Sequence, residues 1–224
     1  MPSSAAALLL LADGRFPAGG YAHSGGLEPS VAAGRVRDVE TLEAFLRGRA
    51  ATTGATLAAF AAAACGAFGL HDDGLLEVLD AELDARTPSP AQRATSRSLG
   101  RQFVRAFGAI GPAASLAGLG VTPHHPVAVG AAASVVGLDR HDAALAVLHD
   151  SVAGPVAAAV RLLRIDPFGA YAALARLAPL LDELAEAAVA DSHGEVADLP
   201  AHGAPLLDLA AEEHAVRLTR LFAS

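Results

Sequence analysis

The chain has 224 residues, 53% of them hydrophobic and 18% charged, and its formal net charge is −8. This length accommodates one domain over residues 1–224, although two small domains would also fit. The acidic balance argues against nucleic-acid binding, which requires a clustered positive face, and because all 16 basic side chains are arginines, a P-loop lysine and a catalytic lysine are excluded.

The first part of the chain contains helix signals and lacks the alternating pattern of strands. An apolar run predicts a short helix over residues 4–11, and a second helix is predicted from Leu27 to Ala33. Asp38 is placed to cap a third helix, and Asp72 is placed to cap a later one whose leucines recur at helical spacing. The N-terminal half is therefore predicted to be helical.

Between these two caps, one segment is long enough to cross a bilayer. Residues 50–70 carry no charge, but their threonines, glycines and many alanines give only modest hydrophobicity. We predict a buried core helix here, with a membrane-associated helical protein as the alternative. Cys65, the single cysteine, cannot form an internal disulfide and fits a reducing cytosol. Since Met1 to Ala12 lacks the basic start of a secretory signal, we expect a cytoplasmic protein.

Proline marks several helix starts in the second half. Ser89-Pro90-Ala91-Gln92 matches a capping box, which opens a helix predicted to run to about Ala109. Thr122-Pro123 and Asp166-Pro167 repeat the pattern of a cap followed by proline. Each of these positions is therefore predicted to begin a helix.

Asp139 is placed to cap a long segment in which Pro155 should kink or split the helix near Ser151. Residues 191–205 are rich in glycine, proline and polar side chains and predict a mobile stretch. An amphipathic segment is predicted from Leu206 to Phe222, and the C-terminal tail that contains it, residues 206–224, is expected to bind a partner. The overall prediction is an all-α, single-domain bundle of about eight to ten helices.

The most tempting catalytic pattern is Ala22-His23-Ser24-Gly25-Gly26, which is similar to the nucleophile elbow of serine hydrolases. That elbow requires a strand leading into the turn, and the preceding residues, which include Pro17, cannot form a central strand. A small serine hydrolase using Ser24 is kept as the enzyme alternative. No catalytic residue is predicted.

Nine histidines raise the question of a metal site. His124 and His125 are adjacent, and neighbouring residues on a helix point about 100° apart, so they rarely bind one ion. His193 and His202 lie in the predicted mobile stretch and give only a weak signal. No metal site and no cofactor are predicted, and the glycine-rich residues 13–26 are interpreted as a connector in preference to a binding loop.

Three groups of residues resemble the urease accessory protein UreF family. The first lies in the segment FPAGGYAHSGGLE, where the matching positions are Pro17, Gly19, Gly20, Tyr21, Ser24, Gly26, Leu27 and Glu28. The central matches are Arg93, Ser96 and Gly100, followed by His125-Pro126-Val127 and Gly130. The C-terminal matches are Pro205 to Asp208, Glu213-His214 and Arg220-Leu221-Phe222-Ala223-Ser224.

Two positions depart from the family pattern. Gly25 stands where a polar residue is common, and Ile165 to Gly169 replaces a Pro-Leu-Gly-Gln-like turn. Arg161, just before that turn, still corresponds. Any contact made by the family's glutamine is not carried over.

The resemblance implies an all-α, non-catalytic adaptor without a bound nucleotide. It implies that UreD, also called UreH, and the GTPase UreG are partners, and that the assembly docks on urease apoprotein during nickel insertion. A homodimer is a further expectation, whereas neither a membrane nor nucleic acid is expected as a partner. The candidate partner-binding residues are Gly19, Gly20, Tyr21, His23, Ser24, Glu28, Arg161, His214, Arg220, Leu221, Phe222 and Ser224.

Overall fold

The computed structural model describes residues 5–110, 116 and 118–223, and these contain helices and no strand. The all-α prediction is confirmed. Two short 3₁₀ turns, Gly20–Ala22 and Val196–Asp198, interrupt the connections. The α-helices are α1 (Ala5–Leu11), α2 (Leu27–Ala32), α3 (Val39–Arg49), α4 (Ala55–Gly69), α5 (Asp73–Ala85), α6 (Pro90–Ile110), α7 (His125–Val135), α8 (Arg140–Leu163), α9 (Pro167–Arg176), α10 (Ala178–Asp191) and α11 (Pro205–Ala215).

A π-helical turn, Ala50–Gly54, joins α3 to α4 without a break. Inside this turn, Thr52 Oγ1 donates to the Gly48 carbonyl at 2.8 Å and Thr53 Oγ1 donates to the Arg49 carbonyl at 3.3 Å. Hydroxyl groups that bond back to the preceding turn commonly distort helices. The two helices predicted as separate, α3 and α4, are therefore one continuous helix. When α3 and α4 are counted together, the described residues contain ten α-helices, which agrees with the prediction of eight to ten.

Helix α4 is the centre of the bundle and packs against α5, α7, α8 and α10. Ten of its residues from Ala55 to Cys65 are buried. At the crossing with α7, a Cβ atom at Gly130 would overlap the Ala61 carbonyl, so glycine permits the backbones to approach. The two helices apolar enough for a membrane, Val39–Gly69 and Arg140–Leu163, are mostly buried inside the protein, which supports the prediction of core helices.

The aspartate caps predicted from the sequence are confirmed. Asp38 accepts the Thr41 N–H at 2.9 Å, and Asp72 accepts the Leu75 N–H at the same distance. In α8, Asp139 forms a capping box with Asp142, and Asp166 accepts two N–H groups at the start of α9. Each cap satisfies donors that have no partner within the helix.

Two predicted helix starts differ in detail. Ser89 does cap α6, with its Oγ accepting the Gln92 N–H at 3.1 Å. The second hydrogen bond of the predicted capping box, from the Ser89 N–H to the Gln92 side chain, is wrong, since Gln92 Nε2 donates to Asp208 Oδ1 at 3.0 Å instead. The start predicted at Thr122-Pro123 is also wrong: α7 begins at His125, because Pro126, four residues after Thr122, has no N–H for the Thr122 carbonyl. That carbonyl accepts Arg97 Nη1 at 2.8 Å instead.

Pro155 does not split α8, which continues from Arg140 to Leu163. Proline lacks an N–H, so the Ser151 carbonyl four residues earlier loses its helical donor. Arg49 Nε supplies the missing hydrogen bond at 2.8 Å. Of the predicted kink or split, the split is wrong, because a side chain from a distant helix satisfies the freed carbonyl, and the kink stays a prediction.

The predicted mobile stretch, residues 191–205, is held at several points. Arg140 Nη1 donates to the Ser192 carbonyl at 2.7 Å, and Arg86 Nη2 donates to the Val196 carbonyl at 2.9 Å. The His202 N–H donates to Thr56 Oγ1 at 3.1 Å. These contacts attach the stretch to the core, and its mobility stays a prediction.

Candidate functional site

The glycine-rich connector turns on three glycines with left-handed backbone angles. The φ angles of Gly19, Gly25 and Gly26 are 86°, 59° and 85°, which side-chain-bearing residues rarely adopt. A Cβ atom at position 19 would also lie 2.6 Å from Gln102 Oε1, and one at position 26 would lie 3.0 Å from Leu207 Cδ2. The connector therefore follows the protein surface closely and joins the first helix to the second.

Beneath the connector lies a cavity of about 390 Å³, bounded by α3, α6, α8 and α11. Its wall includes His23 from the connector, Arg49 from α3, His125 from α7 and Asp150 from α8. Burial lowers the pKa of both His23 and His125, and the negative charge of Asp150 partly offsets that effect. Both histidines are therefore held mainly neutral near pH 7.

The C-terminus returns to the connector and is fastened there by Glu28. The Glu28 carboxylate accepts the Leu221 N–H at 2.8 Å and the Phe222 N–H at 3.0 Å. His214 Nε2 donates to the Phe222 carbonyl at 3.2 Å. The two Glu28 contacts join residues almost 200 positions apart. We call the following residues the C-terminal latch: Glu28, Arg161, His214, Leu221 and Phe222.

Phe222 is the apolar centre of the latch. Its side chain is 5% exposed, and the Arg161 guanidinium carbon lies 5.0 Å from the ring centroid, within the range of a cation–π contact. The Ala223 N–H extends the junction by donating to the Ala22 carbonyl at 2.7 Å. Glu28, Arg161, His214 and Phe222, all predicted as partner-binding residues, thus meet within the chain itself.

The other predicted residues divide between the interior and the surface. Gly20 and His23 line the cavity, and Ser24 is fully buried. The side chains of Tyr21, Arg220 and Leu221 are exposed, with Tyr21 69% and Leu221 67% exposed, and Arg220 also lines the cavity. Ser224 lies outside the described residues.

Ser24 does not have the environment of a nucleophile. Its side chain is fully buried, and its Oγ accepts the Glu28 N–H at 3.2 Å at the start of α2. No strand precedes it within the described part of the chain, whereas a nucleophile elbow exposes its serine at the end of a strand. Ser24 is therefore placed as a structural residue of the connector.

A second serine has neighbours similar to those of a catalytic triad. Ser96 Oγ lies 2.9 Å from His124 Nδ1, and His124 Nε2 lies 3.1 Å from Asp84 Oδ1. However, His124 is fully buried, and Arg97 forms an ion pair with Asp84 at 2.7 Å. Ser96 Oγ also accepts the His125 N–H, so the network fixes the start of α7 and does not present a nucleophile.

This network explains the central residues of the family resemblance. Arg93 donates to the Thr87 and Pro88 carbonyls ahead of α6. At Gly100, a Cβ atom would collide with the backbone that leads into α7. These positions therefore have roles in packing α6 against its neighbours. Arg97, which pairs with both Asp80 and Asp84, was missed because its partners lie on another helix.

Helix α11 is fastened to the bundle mainly by polar contacts. Glu212 accepts the Ser89 hydroxyl and the Ala91 N–H at the start of α6. Only Ala210 and His214 of this helix are buried. Apolar side chains of α11 and the tail instead face solvent, and we call this set the C-terminal apolar surface: Leu206, Leu209, Val216, Leu218 and Leu221.

Comparison with known proteins places these features in a family. A family model described as UreF matches residues 36–178. The urease accessory protein UreF of Mycolicibacterium vanbaalenii is 43% identical over 226 residues, which cover 99% of this chain and 100% of that protein. The proteins of the same name from Mycobacterium marinum and Mycobacterium tuberculosis are 42% and 39% identical, each over at least 98% of both chains.

Proposed function

Because the chain belongs to the UreF family of urease accessory proteins, we propose that it is the adaptor that joins UreD to the GTPase UreG during nickel insertion into urease. The relatives are named as accessory proteins and not as enzymes. The observation that carries the proposal is their identity of about 40% over nearly the whole chain. A chain without lysine has no P-loop, so GTP hydrolysis must come from a partner.

The C-terminal apolar surface supports a protein partner. Leu218 and Val216 are 103% and 80% exposed, and exposed apolar clusters of this kind commonly mark interaction sites. The latch holds the Phe222 side chain inward, whereas the Leu221 side chain is exposed. We assign UreD to this surface, with Leu218 and Leu221 as the central contacts, whereas Phe222 acts by fixing the tail.

Replacing both Leu218 and Leu221 by serine tests this assignment. Both side chains are exposed, so the variant should unfold at the wild-type urea concentration yet lose at least tenfold in affinity for UreD. Leu70→Ser is the matched control, because Leu70 is 74% exposed at the end of α4, far from the tail in sequence. Unchanged capture by the double variant in a pull-down would show that UreD binds elsewhere.

Recruitment of UreG and docking on urease apoprotein are the later steps of the proposal. We place them in the cytoplasm, after the pair with UreD has formed. Size-exclusion chromatography of the three proteins, with and without GTP, follows each step. A homodimer of the free chain is tested in the same experiment by light scattering, since its molar mass would be twice 22.5 kDa.

A further inference from the structure

We propose that the cavity beneath the connector binds a small organic acid, with Arg49 as the main group that holds its carboxylate. The ligand would be a dicarboxylate of a few carbon atoms. Its binding would be a property of the chain alone, separate from UreD and UreG. The inference depends on two arginines of the cavity wall, Arg49 and Arg86, that have nitrogens without a hydrogen-bond partner among the described residues, and on the shape and charge of that wall.

Arg49 is a partly buried cation that Asp150 only partly balances. Its Nε donates to the Ser151 carbonyl, and it forms no ion pair with any described residue. Burial lowers the pKa of the Arg49 guanidinium, an effect that the charge of Asp150 only partly offsets. Charges withdrawn from water are normally paired in proteins, so the terminal nitrogens of Arg49, which form no hydrogen bond with any described residue, are suited to binding an anion.

The connector passes close to the Arg49 guanidinium and carries no side chain at this point. A Cβ atom at Gly25 would lie 3.3 Å from Arg49 Nη2 and 3.1 Å from Pro155 Cγ. Gly25 is also one position where the chain departs from the family pattern of a polar residue. The absence of a side chain here keeps the guanidinium accessible from the cavity.

A second nitrogen in the cavity wall, Arg86 Nη1, is buried and has no hydrogen-bond partner among the described residues. The Arg86 side chain is 12% exposed, so water reaches it poorly. An unpaired buried polar atom is unfavourable, and a ligand that pairs it gains affinity. Arg86 Nη2 already donates to the Val196 and Ala197 carbonyls, so Nη1 offers a second carboxylate group one charge-assisted hydrogen bond.

The remaining wall decides the class of ligand. Much of it is apolar, including Leu57, Leu99 and Val147, and its volume is within the range of small-molecule pockets. Three arginines, Arg49, Arg86 and Arg220, line it against the carboxylates Asp150 and Asp208, although the whole chain has a net charge of −8. A carbon chain carrying two carboxylates fits this combination better than an inorganic anion does.

Isothermal titration of the purified, metal-free full chain with succinate and glutarate at pH 7 tests the proposal. Each acid should bind with a stoichiometry of one, and succinamide, which has the same size without charge, should not bind. Arg49→Gln should weaken binding at least tenfold. Arg49→Lys should recover only part of the affinity, because lysine keeps the charge but lacks the fork. Arg105→Gln, an exposed position on α6, should bind as the wild type does.

Circular dichroism establishes that each variant is folded. Should Arg49→Gln not fold, Arg86→Gln carries the same test, with the same tenfold loss expected. The proposal is overturned if neither acid binds, if succinamide binds equally well, or if folded Arg49→Gln and Arg86→Gln variants keep full affinity. Because no partner protein is present, these outcomes leave the adaptor function untouched.

Discussion

Replacing Glu28 by glutamine should release the C-terminal latch without unfolding the bundle. The carboxylate accepts two backbone N–H groups, those of Leu221 and Phe222, and its side chain is 12% exposed. A glutamine keeps one acceptor oxygen and presents an NH₂ group to the other N–H. The variant therefore loses one charge-assisted hydrogen bond, worth about 1.5–3 kcal/mol when buried.

That loss should appear as local opening, because the tail can detach while α4 and its neighbours stay packed. Each 1.4 kcal/mol is a factor of about ten, so amide hydrogen exchange at Leu221 and Phe222 should accelerate about ten- to hundredfold. The midpoint of global unfolding in urea should change little. Glu77→Gln is the matched control, since Glu77 is exposed on α5.

Unchanged exchange at Phe222 in the Glu28 variant would refute the latch, whatever its effect on partners. A released latch should also weaken UreD capture, because the C-terminal apolar surface would no longer be held in one arrangement. If exchange accelerates and capture is retained, the latch is real but does not position the surface for UreD.

Other predictions concern packing and pH. Gly100→Ala should lower stability by about 1–3 kcal/mol through overpacking against the chain before α7, measured by urea denaturation, whereas Gly108→Ala on the same helix meets nothing within 4 Å and should raise stability by up to about 1 kcal/mol. Burial lowers the pKa of His23, His124 and His125, so the unfolded chain binds more protons and stability should fall as pH drops below about 6.5. His23→Ala should reduce that pH dependence. If the variant loses stability but still recruits UreG, His23 acts in the connector. If it keeps its stability but no longer recruits UreG, His23 contacts the partner.

Local chemistry explains which parts of the fold were predictable. An aspartate cap acts on N–H groups three residues away, so Asp38, Asp72 and Asp139 could be assigned from spacing alone. The behaviour of Pro155 could not, because Arg49, whose Nε bonds the freed carbonyl, lies on another helix. In the same way, Gln92 was predicted to complete a capping box, but its side chain donates to Asp208 on α11.

In the candidate site, too, contacts between residues far apart in the chain could not be predicted from the sequence. The family resemblance named Glu28, His214 and Phe222 as partner-binding residues, which stays a prediction, and it did not say what they contact within the chain. The structure places them against one another, so their first role is to hold the tail. Exposed Leu218 was recognised only as part of an amphipathic segment, because exposure depends on how α11 packs.

The adaptor function is tested most directly by co-expressing the chain with UreD and UreG and separating the products by size-exclusion chromatography with GTP present. The account predicts a single peak containing all three proteins, which loses UreD and UreG when Leu218 and Leu221 are both serine. Elution of the wild-type chain apart from both partners would contradict it.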